Sequence, residues 1–141
     1  MSSNRHNARR AAVQALYQWD LTQQKAQDIE TSFVKIHDML NIDRKYLSEI
    51  LVKVPELEDE LETAITPFIG REFASIDPVE RAILRLGAYE LMQRADVPTK
   101  VILNEMIELA KVFGSDHSYK LSLIHIPSPR DQRGSRMPSS A

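Results

Sequence analysis

The sequence DPVERAILRLGAYEL, at residues 77–91, carries the strongest structural signal in this chain of 141 residues. It begins with Asp77 and Pro78, and an acidic cap followed by proline in the first turn is a typical helix start. Apolar residues then recur every three or four positions, which places them on one wide helix face. They are Val79, Ala82, Ile83, Leu86, Tyr89 and Leu91. The width of this face predicts a central helix that runs to about Arg94.

Helical periodicity continues on both sides of this segment. Upstream, we predict helices over residues 5–24, over residues 28–40, after a cap at Asp43, and after a start at Pro55. Downstream, Asp96-Val97-Pro98 predicts another helix start, and Gly114 predicts its end. The sequence shows neither a strand pattern nor an internal repeat. It therefore predicts an all-α bundle of about six or seven helices.

Length and composition restrict the classes of protein that the sequence fits. A chain of 141 residues suits one domain, and the absence of cysteine excludes disulfides, cysteine-ligated metals and thiol nucleophiles. No apolar run approaches the roughly 18 residues of a membrane span. Because the N-terminus lacks the apolar region of a signal peptide, we expect a cytoplasmic protein without a membrane contact.

The sequence contains no recognisable catalytic centre. It lacks the glycine-rich phosphate loops and the GxSxG nucleophile motif. No two of its four histidines have the i, i+4 spacing that places two metal ligands on one helix face. The acidic run of residues 56–62 is interpreted as a solvated surface. We therefore expect no enzyme activity, no cofactor and no metal, which favours a binding function.

The first nineteen residues, called here the basic arm, are the best candidate for such a function. They contain Arg5, Arg9 and Arg10 and no acidic residue. Arg5 and Arg9 are four positions apart and share a helix face, and we expect Tyr17 near that face. Guanidinium groups attract phosphates, Gln14 can bond to a base edge, and a tyrosine ring can stack on an unpaired base. The alternative is a merely soluble helix end with Tyr17 in the core.

The composition changes after Lys120. Residues 121–141 read LSLIHIPSPRDQRGSRMPSSA, where helical periodicity stops and proline, serine and arginine accumulate. By composition this is a disordered tail. However, LSLIHI can be encoded by CTG TCT CTT ATA CAC ATC, the transposon end of tagmentation libraries, and PSPRD fits the adjoining adapter if one T is lost. We therefore interpret residues 121–141 as translated sequencing-adapter read-through, a non-native segment that is excluded from fold reasoning.

Three stretches resemble one protein family. AVQALYQWDL at residues 12–21, DPVERAILRLGAYEL at 77–91 and DVPTKVILNEMIELAKVFG at 96–114 are similar to the bacterial NusB family. The order and spacing fit along residues 5–120. The resemblance implies an all-α, NusB-like bundle of two helical subdomains, with residues 1–120 as an RNA-binding domain. Family members continue after an SxK motif, matched here by Ser118 and Lys120, with Phe and an apolar helix. We therefore expect this last native helix to be missing.

The family resemblance also implies a function and partners. NusB-like proteins are transcription antitermination factors that bind the boxA element of ribosomal RNA leaders together with NusE, a small-subunit ribosomal protein. The pair joins other Nus factors on RNA polymerase. This function is binding alone, without a covalent reaction. Some members also form homodimers. The resemblance therefore implies boxA RNA, NusE, the other Nus factors, RNA polymerase and a second copy of the chain as partners.

The family motifs can be carried over to individual residues of this chain. Arg5, Arg9, Gln14 and Tyr17 match the family's arginine-rich start and the AxQALY motif. His6 stands where basic residues are common, and Arg10 stands where relatives often have Glu. The residues implied to bind RNA are Arg5, His6, Arg9, Arg10, Gln14, Tyr17, Ser118 and Lys120. The residues implied to contact NusE are Tyr17 and Glu80.

A second interpretation of the same domain remains open. Ribosomal RNA cytosine-5 methyltransferases carry a similar helical domain at their N-terminus, followed by a catalytic domain that binds S-adenosylmethionine. The arginine-rich start and the ELAKVFG–SYK ending, residues 108–120, favour a stand-alone antitermination factor. A helical DNA-binding module is a third interpretation, but we find no recognition helix of polar residues after a short turn.

Overall fold

Six α-helices and one short 3-10 helix make up residues 2–113, the part of the chain that this computed structural model describes. The helices are α1 (Ser2–Thr22), α2 (Ala26–Ile36), α3 (Arg44–Glu56), α4 (Glu58–Ile69), α5 (Pro78–Gln93) and α6 (Thr99–Phe113), and the 3-10 helix is Phe73–Ser75. The predicted all-α class is confirmed. The expected domain boundary at residue 120 and the segment 121–141 lie outside the described residues.

Helix α5 occupies the centre of the bundle, as its wide apolar face predicts. It packs against α1, α3, α4 and α6. All residues from Ala82 to Glu90 are buried, whereas Leu91, which we expected on the inner face, is 44% exposed. The Asp77 carboxylate accepts a hydrogen bond from the Val79 N–H and caps the helix as predicted. The start and the central position of α5 are therefore both confirmed.

The remaining helices form two groups around α5. Helices α1, α2 and α3 contact one another, and α4 and α6 each pack against α5. The contact between α1 and α5 joins the two groups, and most of the buried apolar side chains form one continuous core. No helix within residues 2–113 combines the length and apolar character that crossing a membrane requires.

Of the predicted starts of α3 and α4, one is confirmed and the other is wrong. Asp43 caps α3 as expected, since its side chain accepts a hydrogen bond from the Tyr46 N–H at 3.0 Å. The expectation that Pro55 starts α4 is wrong, because Pro55 lies in the last turn of α3. Its missing N–H is tolerated where the helix is ending, and the Leu57 N–H closes that turn on the Lys53 carbonyl oxygen at 2.9 Å.

The acidic run of residues 56–62 is only partly a solvated surface. Glu62 accepts a hydrogen bond from Arg85 Nη2 at 2.9 Å, and Glu58 lies 3.7 Å from the same nitrogen. The side chain of Arg85 is 3% exposed, and its Nη1 also bonds to Asp20 of α1 at 3.0 Å. A buried guanidinium requires such carboxylate partners, so this part of the prediction is corrected.

Gly87 leaves room on α5 for the Met106 side chain of α6. A Cβ atom at this position would lie 2.3 Å from Met106 Sδ, well inside the contact distance. Gly87→Ala gains up to about 1 kcal/mol of helix propensity. Overpacking a core typically costs about 1–3 kcal/mol. We therefore expect a net destabilisation of about 1 kcal/mol, measured by urea unfolding.

Shortening the opposing side chain provides the control for this prediction. In a Met106→Ala background the clash is absent, so Gly87→Ala should raise the free energy of unfolding by up to about 1 kcal/mol. A substitution at Gly87 that has the same sign in both backgrounds would show that the contact with the Met106 side chain does not matter.

Candidate nucleic-acid interface

Helix α1 divides the predicted RNA-binding residues between two of its faces. Arg9 is 4% exposed and points toward the interior of the bundle. Arg10, Gln14 and Tyr17 are exposed and follow one another at helical spacing along a neighbouring, solvent-facing side. The expectation that Tyr17 lies near the face of Arg9 is therefore wrong. One helical step of about 100° separates Arg9 from Arg10, and this step decides which of the two meets solvent.

The exposed residues of α1 continue one turn beyond Tyr17. Tyr17 is 38% exposed and Leu21 is 54% exposed. We call Arg10, Gln14, Tyr17 and Leu21 the outer stripe. Sequence analysis missed Leu21, although its position four residues after Tyr17 was a signal for it. The outer stripe offers a cation, an amide and an apolar patch side by side.

Arg9 forms the most deeply buried ion pair of the basic arm. Its Nε donates to both carboxylate oxygens of Glu90 in α5, at 2.9 and 3.1 Å. Glu90 is 1% exposed and also accepts a hydrogen bond from the Tyr46 hydroxyl in α3. These bonds satisfy a carboxylate that would otherwise be costly to bury. The structure thus places Arg9 where it joins three helices.

Arg5 and His6 reach carboxylates at the edge of the same region. His6 Nδ1 lies 2.6 Å from Glu105 Oε1 in α6, and Arg9 Nη1 lies 3.6 Å from the same oxygen. Arg5 Nε lies 4.0 Å from Asp43. We call these six residues, Arg5, His6, Arg9, Asp43, Glu90 and Glu105, the inner cluster. Arg5, His6 and Arg9 each lie beside a carboxylate, which neutralises much of the arm's arginine charge within the protein.

Tyr46 lies at the centre of this region and gathers guanidinium groups around its ring. The Arg5 Cζ atom is 4.2 Å from the ring centroid, and the Arg94 Cζ atom is 4.9 Å from it. Such cation–π contacts hold the cations in place. Burial and the neighbouring Glu90 carboxylate both raise the pKa of the Tyr46 hydroxyl. The hydroxyl therefore remains a hydrogen-bond donor to Glu90.

Arg94 extends this network to α3 and to the loop before α6. It donates to Glu49 at 2.6 Å and to both carboxylate oxygens of Asp96 at 3.0 Å. Although burial works in the opposite direction, the hydrogen bonds from Tyr89 and Arg94 lower the pKa of Glu49. Glu49 therefore stays ionised, and the loop is fixed beside the arm.

An open cavity lies between the basic arm and the start of α6. It has a volume of about 450 Å³, and its walls include Arg5, Asp43 and Glu105 together with apolar side chains of Val97 and Val101. The carboxylates of Asp43, Asp96 and Glu105 therefore face the same open space as Arg5 and Arg9. Within residues 2–113, no group of three or more histidine or acidic side chains could hold a metal ion.

The structure also bears on Glu80, Ser118 and Lys120, the other residues that the family motifs implied. Glu80, expected to contact a partner, is 1% exposed and lies in the first turn of α5. Its partner role stays a prediction, and its burial means that a substitution there affects packing first. Ser118 and Lys120 lie outside the described residues. Asp43, Glu90 and Glu105 were not predicted as parts of the site, because nothing local marks which carboxylate meets which arginine.

Comparisons with known proteins agree on one family. A profile described as the NusB family matches residues 6–122. A Nitrosococcus oceani protein named transcription antitermination protein NusB is 46% identical over 120 residues, which cover 85% of this chain and 80% of that protein. A Pseudoalteromonas atlantica protein of the same name is 47% identical over 116 residues, covering 82% and 83%. This chain therefore belongs to the NusB family.

A solved structure is also similar to this chain. The structure of T. maritima NusB matches with a TM-score of 0.68 at 26% sequence identity, and the match covers 88% of this chain and 90% of that one. The helical bundle described above is therefore the NusB fold.

The buried ion pair between Arg9 and Glu90 predicts how removal of either side chain changes the free energy of unfolding. Deleting one partner of a buried ion pair leaves the other uncompensated and costs about 3–5 kcal/mol. We therefore expect Arg9→Ala and Glu90→Ala each to lower the free energy of unfolding by about that amount. The double variant should lose much less than the sum of the two, since neither charge is then left unpaired. Additive losses in urea unfolding would contradict the pairing.

Proposed function

We propose that this protein is a transcription antitermination factor that binds boxA RNA of ribosomal RNA leaders through its basic arm. The main support is the outer stripe, which presents a cation, an amide and an aromatic ring on one rigid helix. Membership of the NusB family and the names of the relatives support the same function. The protein acts by binding and is not an enzyme.

The chemistry of the outer stripe suits single-stranded RNA. The Arg10 guanidinium can contact a phosphate, and the Gln14 amide can both donate to and accept from a base edge. The exposed ring of Tyr17 can stack on a base that is not paired. Because the three side chains project from one helix, they can contact successive nucleotides without first becoming ordered.

Arg5 and His6 can extend this surface at the N-terminal end of α1. The side chain of Arg5 is 34% exposed and that of His6 is 30% exposed, so both are accessible to a phosphate. Arg9 is different, since its side chain is 4% exposed and bonded to Glu90. We propose that Arg9 supports RNA binding by holding the arm in position. Ser118 and Lys120 belong to the proposed RNA surface through the family motif alone.

NusE is the proposed protein partner at the C-terminal end of the outer stripe. Tyr17 and Leu21 form an exposed apolar patch there. Tyrosine is one of the residue types that are enriched among the energetically important anchors of protein interfaces. We propose that the complex with NusE then assembles with the other Nus factors on RNA polymerase. Glu80, which is buried in the first turn of α5, belongs to the proposed NusE surface through the family motif alone.

If the chain is instead the N-terminal domain of a ribosomal RNA methyltransferase, the same helical domain binds a different RNA. The substrate of such an enzyme is ribosomal RNA itself. This domain would then bind mature ribosomal RNA, and binding would not require NusE. The antitermination names of the relatives favour the first function. Competition between boxA RNA and a ribosomal RNA fragment, with and without NusE, distinguishes the two.

Arg10 provides the direct test of RNA binding. We expect Arg10→Ala to weaken boxA RNA binding about fivefold at about 0.1 M salt, because each lost phosphate contact removes about 0.7 from the salt slope for a single strand. Fluorescence anisotropy over a salt series measures both quantities. Arg71→Ala is the control, since Arg71 is exposed and lies after α4, outside the outer stripe. Equal effects of the two variants would remove Arg10 from the interface.

Tyr17 provides the separate test of the partner surface. We expect Tyr17→Ala to weaken association with NusE about tenfold, as truncating an aromatic anchor does. Tyr17→Phe should keep most of the affinity, because it keeps the ring. Leu40→Ala is the control, since Leu40 is 73% exposed on another part of the molecule. Calorimetric titration that shows no loss for Tyr17→Ala would place NusE elsewhere.

A further inference from the structure

The open cavity beside the basic arm has a mixed lining that no contact of the outer stripe uses. Its apolar part consists of Val97, Pro98 and Val101, at and just before the start of α6. Arg5 of α1 and Asp43 at the start of α3 supply polar parts of the lining. The volume of about 450 Å³ lies in the range of about 300–1,000 Å³ that small-ligand sites occupy. A flat group with both hydrogen-bond donors and acceptors fits such a lining.

Arg5 and Asp43 keep hydrogen-bonding capacity that a ligand can use. Arg5 Nε lies 4.0 Å from Asp43 Oδ2, which is beyond hydrogen-bond distance. Asp43 Oδ1 accepts the hydrogen bond from the Tyr46 N–H, so Oδ2 is the oxygen available to a ligand. The two side chains are 34% and 32% exposed. A guanidinium has five N–H donors and a carboxylate about four acceptor sites, so both can bond to a ligand while they stay side by side.

The other two carboxylates of the cavity are already engaged. Both oxygens of Asp96 accept hydrogen bonds from Arg94, and Glu105 Oε1 lies 2.6 Å from His6 Nδ1. Asp43 is therefore the carboxylate best able to accept from a ligand. Because the lining holds three carboxylates and two arginines, its interior favours a neutral group with hydrogen-bond donors over an anion.

We propose that this cavity binds a guanine base of the RNA, with Asp43 accepting from the N1–H and the 2-amino group and Arg5 donating to O6 and N7. This inference rests on the proposed function, because the base belongs to a strand held by the basic arm. Arg5 thus stays on the RNA surface, and its spare N–H groups remain accessible to a phosphate. Val97 and Val101 cover a face of the base and remove it from water.

Guanine fits this pair of side chains better than the other bases do. It carries two adjacent donors, N1–H and the 2-amino group, and two adjacent acceptors, O6 and N7. Adenine and cytosine each offer one amino group as the donor. Uracil has a carbonyl oxygen on each side of its single N–H, and a carboxylate can only accept, so the two would repel each other. The cavity therefore predicts that guanine binds best and uracil worst.

One RNA strand can reach both the cavity and the outer stripe. Arg5 precedes Arg10 by five residues on α1, which is about 7.5 Å along the helix axis. The pairing of Arg9 with Glu90 fixes α1 on α5, so this separation is set before RNA binds. Single-stranded RNA can turn individual bases outward, and one base can enter the cavity while others contact the outer stripe.

Short uridine oligomers with a central guanosine, inosine or uridine test the inference with the full chain. We expect the guanosine oligomer to bind about tenfold more tightly than the all-uridine oligomer at about 0.1 M salt, as a bidentate base contact allows. Inosine lacks the 2-amino group, and the loss of one hydrogen bond should weaken binding about threefold relative to guanosine. Fluorescence anisotropy measures each affinity.

Three variants identify the side chains responsible. Asp43→Asn keeps the cap of α3, since asparagine caps a helix as well as aspartate does, but it places an amide donor toward the donors of guanine. We expect the preference for guanosine to fall to about twofold. Arg5→Lys keeps the charge but loses the planar fork, and it should lower the preference as well. Asp59→Asn is the control, because it makes the same chemical change at an exposed position on α4.

The inference is wrong if the wild type shows no preference for the guanosine oligomer, or if Asp43→Asn retains as much preference as Asp59→Asn. Free guanosine monophosphate should displace the guanosine oligomer only at concentrations far above that of the oligomer, because it lacks the contacts of a strand. Displacement at equal concentrations would make the cavity a site for a free nucleotide and would overturn its assignment to RNA. Thermal unfolding of each variant shows whether the fold is intact.

Comparison of boxA RNA with a scrambled RNA separates failure of this inference from failure of the proposed function. If the wild type, with or without NusE, binds boxA RNA no better than the scrambled RNA, the proposed function fails and the inference fails with it. If the wild type prefers boxA RNA but does not distinguish the guanosine oligomer from the all-uridine oligomer, only the inference is overturned.

Discussion

Burial of a carboxylate at the centre of the bundle constrains the arrangement of the helices around it. Glu90 lies on α5, the helix that contacts four others, and it is 1% exposed. Removing an ion from water costs several kcal/mol unless charged and polar partners replace the solvent. Arg9 of α1 and Tyr46 of α3 are those partners. The bonds to Glu90 therefore determine how α1 lies on α5, and with it the direction in which each residue of the basic arm points.

The burial of Glu90 also determines which positive charges of α1 are paired within the fold and which remain accessible to solvent. Arg9 is used to neutralise Glu90, whereas Arg10, one residue later, remains in solvent. The arm of the protein is thus less cationic in the fold than in the sequence. A similar arrangement holds the other end of α1, where Asp20 pairs with Arg81 at 2.7 Å and with Arg85 at 3.0 Å. Both ends of α1 are fixed to α5 by ion pairs, which makes α1 a rigid support for the outer stripe.

Local signals in the sequence predicted local features well and long-range pairing poorly. The caps at Asp43 and Asp77 were predicted because a cap depends on residues two or three positions away. Pro55 was placed wrongly because a proline is tolerated in the last turn of one helix as well as in the first turn of the next. The acidic run was misjudged at Glu62, since its partner Arg85 is 23 residues away in the sequence and no periodicity announces such a pair.

The all-α class, the central position of α5 and the family were determined by the sequence, because helical periodicity, caps and motifs are carried by residues close together in the chain. Only the tertiary structure decided which arginines of the basic arm are available. Arg9 and Arg10 are neighbours of the same chemical type, and nothing in the arm shows that Arg9 meets a buried carboxylate. The difference comes from Glu90, 81 residues further along the chain, because folding places its carboxylate beside one guanidinium and leaves the other in water.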